Sequence, residues 1–164
     1  MKRRAILAMT TALMLSACGF QLRGSNGQGN LPFKTVHIGT PETSPLGIEL
    51  RRYIRASGDT TVVPEPKQAQ ASIEVLNETR EKATLTLNTQ GRVREYSLYY
   101  RVRFRVVDGK GAELLAPTEL ILKRDISFNE SQVIAKEKEE EMLYRDMQSD
   151  VVQQILRRVS ALKV

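Results

Sequence analysis

The chain has 164 residues, of which 41% are hydrophobic and 27% are charged, and its formal net charge is +6. This composition is typical of one globular domain, and it argues against a disordered chain or a repeat array. One Cys, one His and no Trp exclude a Cys/His zinc site and an intrachain disulfide, and they leave little scope for a His-based catalytic triad.

The N-terminus has the features of a bacterial lipoprotein signal. Three basic residues at positions 2–4 precede an apolar stretch, from Ala5 to Leu15, that is too short to span a bilayer. Leu15-Ser16-Ala17-Cys18 then matches a lipobox, in which the peptidase cleaves before a lipid-modified Cys. We therefore predict a signal peptide at 1–17 and lipid attachment at Cys18. The alternative is an ordinary signal peptide followed by a chance Cys.

Cleavage would leave 147 residues and lower the net charge to +3, because residues 1–17 hold three bases and no acid. Gly19 follows Cys18, whereas Asp at this position is the familiar signal for inner-membrane retention in enteric bacteria. We therefore expect a lipid-anchored protein on the periplasmic side of the outer membrane. Residues 18–30, rich in Gly, Asn, Ser and Gln, are predicted to form the lipidated N-terminus and a flexible tether. Residues 31–164 are predicted to form a single α+β domain.

The first predicted elements of this domain are a short strand and a helix. Phe33 to Ile38 alternates between apolar and polar residues, which predicts a strand with His37 exposed to solvent. Ser44 and Pro45 suit an N-cap and a first helical position, and Gly58 suits a stop, so a helix is predicted between them. Its buried face is predicted to comprise Leu46, Leu50, Tyr53 and Ile54.

Three longer strands joined by hairpins are predicted next. In the second strand one parity contains Ile73, Val75, Ala83, Leu85 and Leu87, although its polar middle leaves room for a bulge or an extension beyond the core. Hairpin turns are predicted at Gln90-Gly91 and at 108–111. The core rows of the third and fourth strands are predicted to be Tyr96, Leu98, Tyr100, Val102, Phe104 and Val106, and Leu120, Leu122, Ile126 and Phe128, the latter interrupted by Arg124.

A long helix is predicted to complete the domain. From Ser131 the period becomes helical and continues to the C-terminus, with an apolar stripe of Leu143, Met147, Val151, Ile155 and Val159. The order β-α-β-β-β-α predicts an α+β two-layer sandwich, with a four-stranded, mostly antiparallel sheet and two helices on one face. The other face of the sheet is left to solvent or to a partner.

The open face of the predicted sheet carries three arginines, Arg101, Arg103 and Arg105, on the third strand. One interpretation is a set of ion pairs with carboxylates of this face, namely Glu74, Glu119 and Asp125. The other is recognition of an anion, because guanidinium groups bind phosphate in a bidentate manner. Nucleic acid is not an expected partner, given the predicted export and the modest charge of the mature chain.

The sequence has no Gly-rich phosphate loop, no metal-ligand cluster and no serine nucleophile elbow. Its clustered carboxylates, at 137 and 139–141, belong to one charged segment of the last helix. The sequence therefore predicts neither an enzyme nor a bound metal or cofactor.

Several short motifs along the chain resemble the LptE family of lipopolysaccharide-assembly lipoproteins. They are Cys-Gly-Phe-Gln-Leu-Arg-Gly at 18–24, Glu95-Tyr96, Phe128-Asn129, Ala135-Lys136 and the segment 139–142. The resemblance implies a non-enzymatic outer-membrane lipoprotein that plugs the β-barrel of LptD, binds lipopolysaccharide and helps deliver it to the outer leaflet. It also implies that Lys136 contacts lipopolysaccharide.

A second basic position of the family, at the hairpin before Glu95-Tyr96, is matched less closely. Thr89 stands near that point, and Arg92 and Arg94 follow Gly91, so these two arginines are the candidates. Without the resemblance, Lys136 would be interpreted as an i,i+4 partner of Glu140.

An alternative function is that of an auxiliary lipoprotein of an ABC-type lipid-transport system. The longer polar C-terminal tail of some family members has no counterpart here.

Overall fold

The structure is a computed structural model that describes residues 31–162. The predicted signal peptide, Cys18 and the tether lie outside the described residues. The elements, in chain order, are β1 (Thr35–Gly39), α1 (Pro45–Ser57), β2 (Thr61–Val62), β3 (Ala71–Leu87), β4 (Val93–Asp108), β5 (Glu113–Ser127) and α2 (Val133–Ser160). Short 3₁₀ turns at Pro66–Gln68 and Glu130–Gln132 precede β3 and α2.

The strands form one sheet in the order β2-β1-β3-β4-β5. The predicted α+β class and two helices are confirmed, but the predicted number of four strands is wrong, because β2 is a fifth. This strand has only two residues, too few to show an alternating pattern in the sequence. It lies parallel to β1 after the α1 crossover, and β1 is also parallel to β3. The description of the sheet as mostly antiparallel holds for the long strands β3, β4 and β5.

Helix α1 begins and ends at the residues that the sequence predicts. The Ser44 Oγ atom accepts a hydrogen bond from the backbone N–H of Gly47 at 3.2 Å, which satisfies one free donor of the first turn. Gly58 follows the helix with φ of 80°, a left-handed conformation that glycine adopts without a Cβ clash. Leu46, Leu50 and Ile54 are buried as predicted, whereas Tyr53 is 36% exposed and lies beside the Arg52 guanidinium.

The core lies between the sheet and its two helices. The predicted row of β4 is confirmed from Leu98 onward, where the alternate residues 98, 100, 102, 104 and 106 have no exposed area. Helix α2 contributes Met147, Val151, Val152, Ile155 and Val159, which are also fully buried. Each large apolar side chain buried in this way contributes roughly 1.5–3 kcal/mol relative to exposure. Helix α2 contacts β4 and β5, and α1 contacts β1, β2 and α2, so both helices cover one face.

Strand β3 changes its inward face halfway along its length. Its register with β4 shifts between Val75 and Asn77, as a β-bulge produces. Beyond that point Lys82 pairs with Leu98 of the core row, while Ala83 pairs with Ser97 on the opposite face. Further register shifts follow between Thr84 and Leu87, and Leu85 and Leu87 are 43% and 57% exposed. The prediction that Ala83, Leu85 and Leu87 share the buried face of Ile73 is therefore wrong. Most of β3 beyond residue 75 is exposed, so this half of the strand extends past the core.

Polar contacts join this extended half of β3 to α2. The Arg80 guanidinium donates a hydrogen bond to Gln148 Oε1 at 3.2 Å and lies over the rings of Tyr100 and Tyr144. Gln148 in turn donates to Glu49 Oε2 of α1 at 2.7 Å. These polar contacts, rather than an apolar core, hold β3 to the helices where the strand extends beyond the core.

Arg124, which interrupts the apolar row of β5, is accommodated by an ion pair with α2. Its Nη2 atom lies 2.9 Å from Asp150 Oδ2, and its Nη1 atom donates to the Lys123 carbonyl at 3.0 Å. The guanidinium remains partly exposed. Between residues 31 and 162, neither helix combines the length and the apolar character needed to cross a membrane.

Candidate functional site

A cavity of about 210 Å³ lies where β3, β4 and β5 meet the start of α2. Its wall includes Lys136, the basic residue predicted at the opening of α2. Lys82, Tyr96, Ile126, Ser127, Phe128, Val133, Glu137 and Glu140 line it as well. The cavity therefore combines two ammonium groups with an aromatic and aliphatic wall.

Lys136 is held by two hydrogen bonds, and its side chain is only 17% exposed. Its Nζ atom donates to Ser127 Oγ at 3.0 Å and to Glu139 Oε2 at 2.8 Å. The alternative interpretation of Lys136 as an i,i+4 partner of Glu140 is wrong, because its ion pair within α2 is with Glu139, three residues on. Ser127 and Lys136 have the composition of a Ser-Lys catalytic pair, but an ammonium paired with a carboxylate suits anion binding rather than proton abstraction.

Lys82 is a residue of this cavity that sequence reasoning missed. Its Nζ atom lies 2.6 Å from Glu140 Oε2 and 4.4 Å from the centre of the Tyr96 ring. The β3 bulge places Lys82 on the α2 side of the sheet, whereas the uninterrupted parity would place it on the open face. The polar middle of β3 was the only signal in the sequence for such a shift.

An aromatic pair forms the floor between the two lysines. The rings of Tyr96 and Phe128 meet edge to face, with centroids 5.3 Å apart and an interplanar angle of 75°. The backbone N–H of Phe128 donates to the Arg94 carbonyl at 2.7 Å, which fixes Phe128 beside the start of β4. Such edge-to-face pairs add roughly 0.5–1.5 kcal/mol beyond the area they bury.

The hairpin arginines lie near this cavity but do not line it. Arg92 Nη1 pairs with Glu130 Oε2 at 2.9 Å, in the 3₁₀ turn that leads into α2, and both side chains are about 60% exposed. Arg94 is exposed, and its backbone carbonyl is the acceptor for Phe128. The structure therefore brings Arg92 and Arg94 to the same end of the sheet as Lys136, around a turn that all three border.

The electrostatic balance of the cavity is close to neutral in this structure. Glu139 forms an ion pair with Lys136, and Glu140 forms an ion pair with Lys82. An anionic ligand must therefore displace or share these carboxylates, and it would then gain two charge-assisted hydrogen bonds beside an apolar wall.

The arginines of the open face are mostly engaged by neighbours. Arg105 Nε pairs with Glu74 at 2.7 Å, as predicted, and Arg101 Nε lies 3.6 Å from Glu81, which was not a predicted partner. The side chain of Arg103 has no ion-pair or hydrogen-bond partner among residues 31–162, although Glu119 lies opposite it in the register.

Asp125, predicted as an acidic partner for these arginines, contacts Ser97 and Lys123 instead. Its carboxylate accepts a hydrogen bond from Ser97 Oγ at 2.7 Å and pairs with Lys123 at 3.2 Å. The Ser97 hydrogen bond, followed by Lys123, lowers the pKa of Asp125 below the ordinary value of an aspartate. Three acidic residues were predicted to pair with the arginines, namely Glu74, Glu119 and Asp125. Of these, only Glu74 forms an ion pair with one of the three arginines.

No group of three or more His, Cys, Asp or Glu side chains is placed to hold a metal ion in the stretch 31–162. The site that the structure assembles combines two ammonium groups, each paired with a carboxylate, with aromatic rings and aliphatic side chains. Its chemistry suits non-covalent recognition of a ligand that is anionic on one side and apolar on the other.

Comparisons with known proteins agree on one family. The family model "LptE: Lipopolysaccharide-assembly" matches residues 33–159. The chain is 24% identical over 155 residues to "LPS-assembly lipoprotein LptE" of Pectobacterium atrosepticum, covering 93% of this chain and 83% of that one. It is 24% identical over 161 residues to the protein of the same name from Yersinia enterocolitica, covering 97% and 77%.

Two solved structures share the fold. The solution structure of an uncharacterized lipoprotein B from Nitrosomonas europaea superposes with a TM-score of 0.75 at 45% identity, covering 87% of this chain and 91% of that one. The crystal structure of the rare lipoprotein B from Shewanella oneidensis superposes with a TM-score of 0.68 at 24% identity, covering 77% and 94%.

Proposed function

The chain belongs to the LptE family of lipopolysaccharide-assembly lipoproteins, and from this premise we propose that it plugs the LptD β-barrel, binds lipopolysaccharide and supports its assembly into the outer leaflet. It works as a binding and assembly component, without catalysis, on the periplasmic side of the outer membrane. Lipid attachment at Cys18 holds it there, because more than one acyl chain on the same N-terminus gives stable membrane anchoring.

The observation that carries the lipid-binding part of this proposal is the cavity around Lys136. Lipid A presents phosphates next to acyl chains, and the cavity presents Lys136 and Lys82 next to Tyr96, Phe128 and Val133. Ammonium groups bind phosphate oxygens by charge-assisted hydrogen bonds. Arg92 and Arg94 extend the basic region toward the hairpin tip, where further phosphate or core-sugar groups would lie.

The open face of the sheet supports the plug assignment. It is rich in charged and polar residues, including Arg101, Arg103, Arg105, Lys123 and Glu119. The interior wall of a large barrel is polar as well, so this face can meet it through hydrogen bonds and ion pairs. The contact would be broad and polar, and Arg101, Arg103 and Arg105 would act at this wall rather than in lipopolysaccharide binding.

The binding experiment compares two triple charge reversals in the purified full chain. One variant carries Lys136→Glu, Arg92→Glu and Arg94→Glu. The matched control carries Lys110→Glu, Arg157→Glu and Arg158→Glu, which are exposed, change the net charge equally and line neither the Lys136 cavity nor the open face. We expect the first variant to bind lipopolysaccharide at least tenfold more weakly, with a shallower salt dependence, and the control to bind within about threefold of wild type.

An unchanged affinity and salt dependence in the first variant would show that this site is wrong and would make the arginines of the open face the better candidates.

Partner choice is tested separately by purifying the protein from cells. A stoichiometric β-barrel partner supports the LptD assignment, whereas co-purification with an ABC-type transport complex supports the alternative function. Depletion of the protein should also misassemble LptD, and normal folding and export without it would contradict the plug assignment.

A further inference from the structure

A second and larger cavity, of about 620 Å³, lies at the other edge of the sheet. Helix α1 passes over β1 and β2 there, and the residues that matter for its chemistry are Arg51, Arg52, Arg55, Thr40, Ile48 and Val63. Its volume falls in the range of about 300–1,000 Å³ that is usual for small-molecule sites.

This cavity is distinct from the one that holds Lys136. Of its two strands only β1 pairs with β3, between Ala71 and Glu74, whereas Lys82 lies eight residues farther along β3. At about 3.3 Å per residue this is roughly 26 Å along the strand, in addition to the width of the intervening strands. The two cavities share no lining residue.

Three guanidinium groups of α1 line the cavity, and most of their donors are available. Arg51 is held in place, because its Nη2 atom donates to the Pro41 and Glu42 carbonyls at 3.3 and 3.2 Å. Arg52 makes one long contact with Glu49, at 3.5 Å, and Arg55 has no ion pair within residues 31–162. The lining includes a single carboxylate, that of Glu42, so the cavity attracts anions.

The remainder of the lining is apolar apart from His37 and one unsatisfied hydroxyl. Ile48 is 52% exposed, and Ile38, Val62, Val63 and Pro64 continue the apolar surface. The Thr40 Oγ1 atom is buried and has no hydrogen-bond partner among the described residues. This atom packs against Gly47 of α1, so the arginine donors, rather than this hydroxyl, supply the polar contacts of the cavity.

We propose that this cavity binds a small anionic amphiphile, a phosphate monoester joined to an apolar chain. The guanidinium groups match the phosphate oxygens in a bidentate manner, and Ile48 with Val62 and Val63 receives the chain. A ligand of only one chemistry would satisfy only part of the lining. Inorganic phosphate would leave the apolar wall exposed, and a neutral hydrocarbon would leave the charges of three arginines uncompensated. The site is independent of the function proposed above.

Calorimetric titration of the full chain in nonionic detergent tests this site with three probes: hexyl phosphate, inorganic phosphate and hexanol. We expect hexyl phosphate to bind with one-to-one stoichiometry, inorganic phosphate to bind at least tenfold more weakly, and hexanol to show no saturable binding. Equal affinity for inorganic phosphate and hexyl phosphate would overturn the amphiphile assignment and leave a site for free phosphate.

Substitutions of the lining arginines test whether hexyl phosphate binds in this cavity. Arg51→Gln with Arg55→Gln should weaken hexyl phosphate binding at least tenfold, whereas Arg157→Gln with Arg158→Gln, an equal loss of charge on α2, should leave it within twofold. Arg52→Gln with Arg55→Gln alters only exposed side chains and keeps the test valid if the Arg51 variant fails to fold. Lys136→Glu should have no effect. Unchanged binding in both arginine variants of α1, or equal loss in the Lys136 variant, would refute the site.

Discussion

Lys82 of β3 and Glu140 of α2 form an ion pair at 2.6 Å across one side of the cavity that holds Lys136. This contact ties the extended half of the β3–β4 hairpin to the helix, and it leaves each lysine of the cavity paired with a carboxylate. At the proposed site, lipopolysaccharide would compete with Glu139 for Lys136 and with Glu140 for Lys82. The acidic residues of α2 therefore limit the affinity of the proposed site.

Neutralising these two carboxylates should strengthen binding. We expect Glu139→Gln combined with Glu140→Gln to raise the affinity for lipopolysaccharide about threefold to tenfold, because both ammonium groups then meet the phosphates without competition. The measurement is a titration at constant ionic strength, with Glu141→Gln and Asp146→Asn, which lie in the same helix but do not line the cavity, as the matched control. A lower affinity in the first variant would show that the glutamates orient the lysines rather than compete with the ligand.

Lys82 should contribute to binding about as much as Lys136. We expect Lys82→Ala and Lys136→Ala each to weaken lipopolysaccharide binding about threefold to tenfold, and Lys110→Ala, at the tip of the β4–β5 hairpin, to leave it unchanged. Each lost ion pair is partly exposed, so unfolding in urea should change by no more than about 1 kcal/mol. Wild-type affinity in Lys82→Ala would remove this residue from the site.

Tyr100 should make the protein sensitive to alkaline pH. Its ring is fully buried and its hydroxyl donates to Glu78 Oε1 at 2.7 Å. Burial, reinforced by the Glu78 contact, raises the pKa of Tyr100 well above that of a free tyrosine. Below pH of about 10 the phenol is protonated in both states. At higher pH the unfolded chain loses this proton first, so stability falls as pH rises.

Comparison with Tyr100→Phe isolates this effect. The variant should lose about 1 kcal/mol at neutral pH, because the hydrogen bond to Glu78 is absent. It should show a smaller loss of stability between about pH 10 and pH 11 in urea titrations. Tyr99→Phe, on the open face, is the control and should keep the wild-type slope. Parallel slopes for Tyr100→Phe and wild type would contradict the assignment.

Arg103 should separate barrel contact from sheet stability. Its side chain is exposed and has no ion pair in the part of the chain that the structure describes, whereas Arg105 pairs with Glu74. We expect Arg103→Glu to leave urea unfolding within about 0.5 kcal/mol and to reduce co-purification with LptD severalfold. Arg105→Ala should lower stability by up to about 1 kcal/mol. Normal LptD recovery with Arg103→Glu would argue against this face as the barrel contact.

The N-terminus is tested by mass spectrometry of the protein purified from its membrane. We expect mature protein to begin at Cys18 and to carry a diacylglyceryl group and a further acyl chain. Cys18→Ala should abolish this modification and release the protein from the membrane fraction. An unmodified N-terminus at residue 18, with unchanged fractionation of the variant, would contradict the lipid anchor.

The sequence by itself determined the local structure and the family. Helix α1 could be bounded from Ser44 and Gly58 because caps are chemical properties of one or two residues. The β4 core row and the α2 stripe were predictable because their periodicity is sustained over many residues, and the short motifs around Tyr96, Phe128 and Lys136 indicated the LptE family.

Only the tertiary structure decided which side chains meet. Strand β2 gains its place from pairing with β1, a non-local contact that two residues cannot encode. The bulge after Val75 moved Lys82 from the predicted open face to the cavity, because one extra residue reverses the facing of those that follow it, here up to the next register shift after Thr84. Arg124 remains an exposed interruption of its row, and the sequence did not indicate its partner. In the folded chain the helix above it supplies Asp150, and pairing between elements far apart in sequence leaves no periodic signal.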